Sequence, residues 1–266
     1  IKVFHSFDGF ELQSFTSSTD TDVVFSYDAD WGNTDSHFPY VYDYFSETIR
    51  DRRSFNQEFR IVSDSADFLQ DSFIEWVVGA NYLELKESNF KKDDGLYGDP
   101  TDPYGPYASA SSSSSRYKSS NISVFGNLDY LLSTSLKFSI GLRVEDWEAN
   151  YSDSLKESFN PSDKMSGGKI SLIKNMTNYT NMYASLAKGY KQGGFNLGLG
   201  LDANSTNKNL AYDPEFLTNY ELGINTKLLG SKVTFNGVLF YSDREDQQVL
   251  ISTQTDPSDP NTFSFL

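Results

Sequence analysis

Residues 136–145 alternate apolar and polar side chains with hardly a break. One side carries large apolar residues from Leu136 to Val144, and the other carries polar residues ending in Arg143 and Glu145. Successive side chains of a β-strand point to opposite faces, so a period of two predicts a strand. The strand therefore offers one face to an apolar environment and the other to water.

The same alternation recurs along the chain in about ten segments of eight to thirteen residues, most of them in pairs with short connections. Short connections are typical of β-hairpins, so the pattern predicts antiparallel neighbours. The predicted pairs are 122–131 with 136–147, 54–62 with 73–85, 167–174 with 179–190, 216–228 with 232–243, and 9–17 with 22–31.

Long polar stretches separate these pairs, and the pattern predicts that they are loops. They comprise residues 32–53, 86–118, 148–166, 191–215 and 244 onward. Short turns that alternate with long loops are typical of outer-membrane barrels, in which all the turns lie on one side of the membrane.

Composition sharpens this interpretation. The chain has 266 residues, 15% of them aromatic, no cysteine and a formal charge of −15, with a mean hydropathy of −0.50. No apolar run approaches the roughly 20 residues of a membrane helix, whereas a membrane strand needs apolar residues only at alternate positions. The acidic balance argues against nucleic-acid binding. A lipid-facing sheet and a soluble antiparallel sheet with one wet face both fit the periodicity.

Several segments together resemble the TonB-dependent outer-membrane receptors. They are FNQEFRIVSDSA (55–66), FIEWVVGANYLEL (73–85), SVFGNLDYLLSTSLKFSIGLRVE (123–145), NYTNMYASLAKGYKQGGFN (178–196) and YDPEFLTNYELGINTKLLGSKVTFNGVLFYSDREDQQV (212–249). The resemblance runs in order from about residue 54 to residue 249.

This resemblance implies an all-β fold, an antiparallel transmembrane β-barrel segment with short periplasmic turns and long extracellular loops. The family barrel has about 22 strands and encloses a plug domain. This chain supplies about ten strands, so we expect residues 1–266 to be the middle of a receptor barrel. The plug domain and the C-terminal strands are then not present in this chain.

The resemblance also implies a function, which is the active import of a scarce nutrient such as a ferric siderophore across the cell outer membrane. The expected partners are a TonB-type energy-coupling protein acting through the plug, outer-membrane lipid and lipopolysaccharide, and a small-molecule chelate. An iron chelate would be cargo and not a cofactor. No catalytic residue and no metal site are predicted, so the chain is not expected to be an enzyme. The alternatives are a passive outer-membrane channel or adhesin barrel, and a soluble β-sandwich that binds glycans.

Two groups of residues are candidates for ligand binding. Tyr97, Tyr104 and Tyr107 lie in a Pro/Gly-rich stretch and could stack on a planar ligand, or they could belong to an ordinary surface loop. The second group comprises Tyr190, Lys191 and Gln192, expected where a strand ends at the barrel mouth, and Arg143, expected to line the lumen. These residues could contact an anionic ligand. The structural alternative is a strand end with an interface aromatic, and for Arg143, where we favour it, a salt bridge to the plug and neighbouring strands.

Overall fold

The computed structural model describes residues 1–30, 32–33, 35–63, 74–154, 158–195, 211–249, 252–254 and 263–265, and these residues form strands, turns and connections only. No helix in this part of the chain has the length and hydrophobicity needed to cross a membrane. The strands are β1 (Lys2–Phe7), β2 (Phe10–Asp28), β3 (Val41–Ser63), β4 (Ile74–Gly98), β5 (Tyr107–Ser133), β6 (Leu136–Asp153), β7 (Ser158–Phe159), β8 (Ser162–Thr177), β9 (Thr180–Lys191), β10 (Gly194–Phe195), β11 (Ala211–Tyr212), β12 (Glu215–Leu228), β13 (Val233–Glu245), β14 (Ser252–Gln254) and β15 (Phe263–Phe265).

Eleven strands form one sheet in the order β1-β2-β3-β4-β5-β6-β8-β9-β12-β13, with the short β7 paired to β6. Every pair in this sheet is antiparallel. The strands β10 with β11, and β14 with β15, form two separate small hairpins. Four of the predicted hairpins are confirmed, and the long antiparallel meander is the architecture that the alternation predicted.

Connections at one end of the sheet are short, as predicted. Residues 8–9, 134–135, 178–179 and 229–232 join successive strands there. Gly9 has a φ of 82°, a left-handed conformation that glycine adopts without steric cost. At the other end the connections are longer, for example 29–40, 99–106 and 154–161. The connection at residues 64–73 lies outside the described residues.

The predicted hairpin of 9–17 with 22–31 is wrong. Residues 10–28 form the single strand β2, which pairs with β1 on one edge and with β3 on the other. The Ser/Thr/Asp-rich run in its middle suggested a turn, but backbone pairing continues through it, and Asp20 forms an ion pair with Arg53 at 3.2 Å. The turn is instead at Asp8 and Gly9, at the start of β2.

The prediction that 86–118 is a loop is also wrong, because β4 continues to Gly98 and β5 begins at Tyr107. These extensions pair with each other from Lys86 and Lys118 to the hairpin tip. They carry Lys, Asp and Ser side chains on both faces. A strand with water on both faces has no apolar side, so hydrophobic periodicity cannot detect it. The loops at 32–53 and 148–166 are also shorter than predicted, since β3 begins at Val41, β6 ends at Asp153 and β8 begins at Ser162.

The two faces of the sheet differ in burial. Ser123, Ser171 and Ser185 are almost fully buried on one face, which we call the inner face. The opposite, outer face exposes large apolar side chains, including Leu142 at 62% and Val144 at 59%. Apolar residues on the exposed side and polar residues on the covered side reverse the order of a soluble sheet and match a membrane-facing wall.

The polarity of the faces changes along β6. Beyond Val144 the outer face carries Asp146, Glu148 and Asn150, whereas the inner face carries Trp147 and other buried residues. The same change occurs on β4, where the outward Tyr82 is followed on that face by Glu84 and Lys86. The apolar outer band therefore ends near these positions, and the strands continue past it.

Candidate functional site

A hydrogen-bonded group of polar side chains lies on the inner face at the level where the outer apolar band ends. Arg143 and Glu145 come from β6, Asn121 from β5 and Tyr190 from β9. Arg143 and Glu145 are two residues apart on one strand, so the pleat directs both side chains to the same face. Asn121 is opposite Trp147 in the β5–β6 register, which places its side chain beside Glu145.

Tyr190 reaches Arg143 and Glu145 across the intervening strand β8, because its ring lies against Gly167 of that strand. A Cβ atom at Gly167 would be 3.1 Å from the Tyr190 ring and 2.7 Å from the Lys188 carbonyl oxygen, so a side chain there would displace the tyrosine. The pairing of β8 with β9 ends at Gly168 and Lys188, two residues before Tyr190. The glycine therefore permits the close approach that brings the Tyr190 hydroxyl to β6.

Glu145 is the centre of the network. Its Oε2 accepts hydrogen bonds from Arg143 Nη2 at 2.8 Å, Arg143 Nε at 3.0 Å and the Tyr190 hydroxyl at 3.1 Å. Its Oε1 accepts one from Asn121 Nδ2 at 2.6 Å. Charge-assisted bonds of this kind satisfy a carboxylate that is only 8% exposed. Within the described residues, Arg143 forms a salt bridge with Glu145 of its own strand, whereas the expected partners were the plug and neighbouring strands.

Arg143 keeps donor capacity after this pairing. A guanidinium has five N–H groups, and only Nε and Nη2 are used in the bonds to Glu145 and Tyr190. The Arg143 side chain is 40% exposed. It can therefore donate to an oxygen of a molecule on the inner face while Glu145 holds it in place.

Gln192 connects this network to the strand ends beyond it. Asn121 Nδ2 contacts Gln192 Oε1 at 3.4 Å, and Gln248 Nε2 donates to the Gln192 carbonyl at 2.9 Å and to the Asp213 carbonyl at 3.1 Å. The backbone N–H of Gln248 donates to Glu215 at 2.9 Å. Residues at the ends of β9, β12 and β13 are therefore held together beside the Arg143 network.

A small apolar cluster lies farther along the inner face. Trp147, Ala149 and Met165 are each 1% exposed, and Tyr117, Tyr190 and Phe216 pack against them. The indole N–H of Trp147 donates to the Ser119 hydroxyl at 2.8 Å. Tyr190 contacts both the cluster and the polar network, so its orientation depends on both.

The structure brings together only some of the predicted site residues. Arg143, Tyr190 and Gln192 belong to one network, whereas Lys191 is exposed opposite Glu215 in the β9–β12 register and forms no ion pair within the described residues. The predicted tyrosines lie elsewhere. Tyr107 is fourteen residues from Asn121 along β5, which is about 46 Å at the rise of a strand.

The three tyrosines occupy the tip of the β4–β5 hairpin. Tyr97 pairs with Tyr107 in register, and Tyr104 lies in the connection and is 84% exposed. The Tyr107 hydroxyl donates to Asp102 at 2.8 Å, and this hydrogen bond raises the pKa of the phenol. Tyr97 also contacts Tyr42 edge-on at 6.5 Å between ring centroids.

Sequence reasoning missed Glu145, Asn121 and Gln248 as members of the site. Glu145 was detectable, because it follows Arg143 by two residues in a predicted strand. The local sequence around Asn121 and Gln248 does not indicate a site, because their hydrogen bonds are to residues far away in the sequence.

Comparisons with known proteins agree with this geometry. The family model described as TonB dependent receptor-like, beta-barrel matches residues 4–265. Solved structures with the same fold include the ferric yersiniabactin uptake receptor FyuA from Yersinia pestis, with a TM-score of 0.62 at 19% identity, covering 92% of this chain and 35% of that one. The siderophore receptor PiuA from Acinetobacter baumannii has a TM-score of 0.62 at 16% identity, covering 98% and 41%. The copper transporter OprC has a TM-score of 0.63 at 14% identity, covering 96% and 38%. The chain spans well under half the length of each of these proteins.

Proposed function

Because the chain belongs to the TonB-dependent receptor family through its β-barrel domain, we propose that it forms wall strands of an outer-membrane receptor for a ferric siderophore. The receptor imports this cargo with energy delivered by a TonB-type protein. The apolar outer band contacts lipid, and the short turns and long connections lie on the periplasmic and extracellular sides. No bond of the cargo is broken, so no catalytic group is required.

The observation that carries this proposal is the network of Arg143, Glu145 and Tyr190 on the inner face of such a wall, at the edge of its apolar band. A siderophore complex that presents carboxylate, catecholate or hydroxamate oxygens needs N–H and O–H donors. Among the described residues, Arg143 has donors without a partner, and Glu145 and Tyr190 hold its side chain in position. The inner face at this level therefore suits an oxygen-rich chelate that has passed the outer loops.

The tyrosines at the β4–β5 tip form a separate, outer contact in this proposal. Tyr97, Tyr104 and Tyr107 are exposed on a projecting hairpin. Such rings suit a first, weak encounter with a planar ligand, because an exposed aromatic ring offers a large apolar surface for contact. Cargo would then meet the hairpin before it reaches Arg143.

Binding tests the role of the network. In the full-length receptor, the double variant Arg143→Gln with Glu145→Gln removes both charges without leaving one unpaired. We expect its affinity for the ferric chelate to fall about tenfold, which corresponds to the loss of roughly 1.4 kcal/mol. Lys164→Gln, at a cation that is 82% exposed and opposite Asp146 of the outer face, is the matched control and should bind normally. If the unchanged receptor, the double variant and the control variant bind the ferric chelate with equal affinity, the network does not contact the cargo.

Transport distinguishes active import from a passive channel. Uptake of radioactive iron as the chelate should require an energised inner membrane and a TonB-type protein. If uptake is the same in energised and de-energised cells, the wall belongs to a passive pore.

A further inference from the structure

Four tyrosines lie together at the ends of β3, β4 and β5 that are remote from the short turns. Tyr42 of β3 is opposite Tyr97 of β4, and Tyr97 is opposite Tyr107 of β5. Residues directly opposite each other on neighbouring strands point to the same face, so these three side chains form one row. Tyr44 is two residues from Tyr42 and therefore shares that face. We call Tyr42, Tyr44, Tyr97 and Tyr107 the tyrosine cluster.

The rings of the tyrosine cluster meet at steep angles. Tyr42 and Tyr97 are edge-on, with an interplanar angle of 89° and a distance of 6.5 Å between ring centroids. Tyr42 and Tyr44 are inclined by 48° at 4.7 Å. Gly95 is opposite Tyr44, and a Cβ atom at Gly95 would collide with the Tyr44 ring, so the glycine permits this arrangement. The cluster is therefore a corner with ring faces on two sides, and not a flat stacking platform.

The tyrosine cluster is far from the membrane band and open to solution. Tyr107 is about 46 Å along β5 from Asn121, which lies at the level where the apolar band ends. Tyr42, Tyr97 and Tyr107 are each 41–51% exposed. Cross-strand aromatic pairs stabilise hairpins. That role accounts for the contacts between the rings, but not for the aromatic surface that they leave exposed.

The surroundings of the tyrosine cluster are strongly acidic. Residues 28–45 and 93–109, which contain the cluster and its connections, include eight aspartates and no lysine or arginine. Within the described residues, only two of these aspartates form ion pairs, Asp93 and Asp94, each with a lysine of β4. The strand ends around the cluster therefore carry uncompensated negative charge, which attracts cations and repels anions.

Asp102 brings this negative charge to the tyrosine cluster itself. Its Oδ2 accepts a hydrogen bond from the Tyr107 hydroxyl at 2.8 Å, and its Oδ1 accepts one from the Tyr104 backbone N–H at 2.9 Å. A carboxylate has about four acceptor positions, so Asp102 keeps acceptor capacity while these two bonds fix its place. A carboxylate without a cationic partner among the described residues thus lies at one end of the row.

We propose that the tyrosine cluster and Asp102 bind the ammonium group of a small organic cation. The negative face of an aromatic ring attracts a cation, and rings at steep angles to each other surround an alkylammonium group on more than one side. Asp102 adds attraction between opposite charges, and the surrounding aspartates raise the local concentration of cations. A neutral molecule of the same shape gains neither contribution, and an anion is repelled.

This assignment goes beyond the uptake of a ferric chelate, because it gives the receptor a binding site for a second class of ligand. Tyr104, the most exposed ring of the β4–β5 hairpin, contacts no other ring among the described residues and lies outside the tyrosine cluster. Tyr104 therefore stays available for a contact with the cargo when the cluster holds a cation.

Saturation-transfer NMR on the full-length receptor in detergent micelles tests this site without cargo. The probes are choline and 3,3-dimethylbutan-1-ol, a neutral molecule of nearly the same shape. We expect choline to bind about tenfold more tightly than the alcohol, because only choline gains the cation–π and carboxylate contributions. Tyr97→Leu and Asp102→Asn should each weaken choline binding about threefold. Tyr97→Phe keeps the aromatic ring and should bind choline normally.

Asp94→Asn and Tyr104→Leu are the matched controls. Asp94 has the same charge on the same hairpin, but it is paired with Lys92 at 2.5 Å. It is three residues from Tyr97, so its side chain points to the opposite face. Tyr104→Leu removes a ring that is not part of the cluster. Both variants should bind choline within about twofold of the unchanged receptor, and all variants should keep the heat-modifiable gel migration of a folded barrel.

Three results would overturn the proposal. Equal binding of choline and the alcohol would show that the site does not recognise a cation. Choline binding that survives Tyr97→Leu and Asp102→Asn, or that falls equally in Asp94→Asn, would assign the attraction to the overall negative charge of the hairpin. Displacement of choline by a micromolar twelve-residue peptide of alternating Lys and Ser would assign the cluster to a basic polypeptide instead. These measurements contain no ferric chelate, so the proposed function is tested separately.

Discussion

The lower part of β6, from Leu136 to Val144, and its upper part, from Glu145 to Asp153, keep the same alternation with opposite chemistry. In the lower part the outer face is apolar and the inner face carries Arg143. In the upper part the outer face carries Asp146 and Glu148, and the inner face carries the buried Trp147. No irregularity is present in the pairing of β6 with β8 at this boundary.

This difference shows that strand geometry and environment are independent. The pleat fixes which way each side chain points, and the surroundings of each face decide which side chain suits it. The apolar outer residues from Leu136 to Val144 span about 20 Å along the barrel axis once a tilt of about 45° is allowed for, close to the apolar band of membrane barrels. Above that band water replaces lipid outside, and aromatic packing replaces water inside.

Removing Trp147 tests the upper part most severely. We expect Trp147→Ala to lower the free energy of unfolding by about 3–5 kcal/mol, because it leaves a cavity among Met165, Ala149 and Tyr190. The measurement is urea unfolding of the full receptor folded into phosphatidylcholine vesicles. Trp147→Phe, which keeps a ring but loses the hydrogen bond to Ser119, should cost much less. A loss below about 1 kcal/mol for the alanine variant would mean that the cluster does not stabilise the upper part.

A charge placed on the outer face tests the lower part. Ile140→Arg, near the middle of the apolar band, should cost about 2–4 kcal/mol in the same unfolding assay, because lipid cannot solvate the guanidinium. Asn150→Arg puts the same side chain on the same face above the band, where we expect a change within about 0.5 kcal/mol. Ser139→Arg, on the inner face, is the second control. If Ser139→Arg is as damaging as Ile140→Arg, the assignment of the two faces is wrong.

The part of the fold that the sequence predicts is the part with one apolar face. The hairpins around Leu142, Leu172 and Leu222 were recognised because lipid on one side enforces a period of two. The upper strand residues 86–98 and 107–118 fall within the predicted loop 86–118, because water on both faces leaves no such period. Backbone pairing with neighbouring strands therefore sets how far each strand continues beyond the membrane. The alternation of apolar and polar residues does not reveal this pairing.

The candidate site was predictable to a similar degree. The sequence predicts Arg143 as a charge that lines the lumen and Tyr190 as a residue at a strand end, and the structure joins them through Glu145. Gln248 enters the site from 56 residues beyond Gln192. Asn175, Asn181, Asn225 and Asn236 come into one row only through three strand pairings at once. Such contacts come from tertiary pairing, which a local pattern does not contain.

The smallest expected effect concerns Glu87, which lies on β4 above the apolar band. Burial acts to raise its pKa, but hydrogen bonds from Asn89 and Arg52 and the charges of Arg52 and Arg50 outweigh it, so the pKa of Glu87 lies below its usual value. A carboxylate whose pKa is lowered in the folded state stabilises that state above its unfolded pKa, near 4.5. This stabilisation is lost as the pH falls through the lower, folded value.

We therefore expect Glu87→Gln to cost under about 1 kcal/mol at pH 7, because the arginine partners are half exposed to solvent. The difference from the unchanged receptor should shrink as unfolding is measured at pH 5, 4 and 3. Arg52→Gln removes one stabilising partner, so the double variant should show a weaker pH dependence than either the unchanged receptor or the Arg52→Gln single variant. A constant difference across this pH range would show that Glu87 stabilises the upper strands by packing alone. The strands above the apolar band would then be stabilised, as the strands within it are, by side-chain contacts whose strength does not depend on pH.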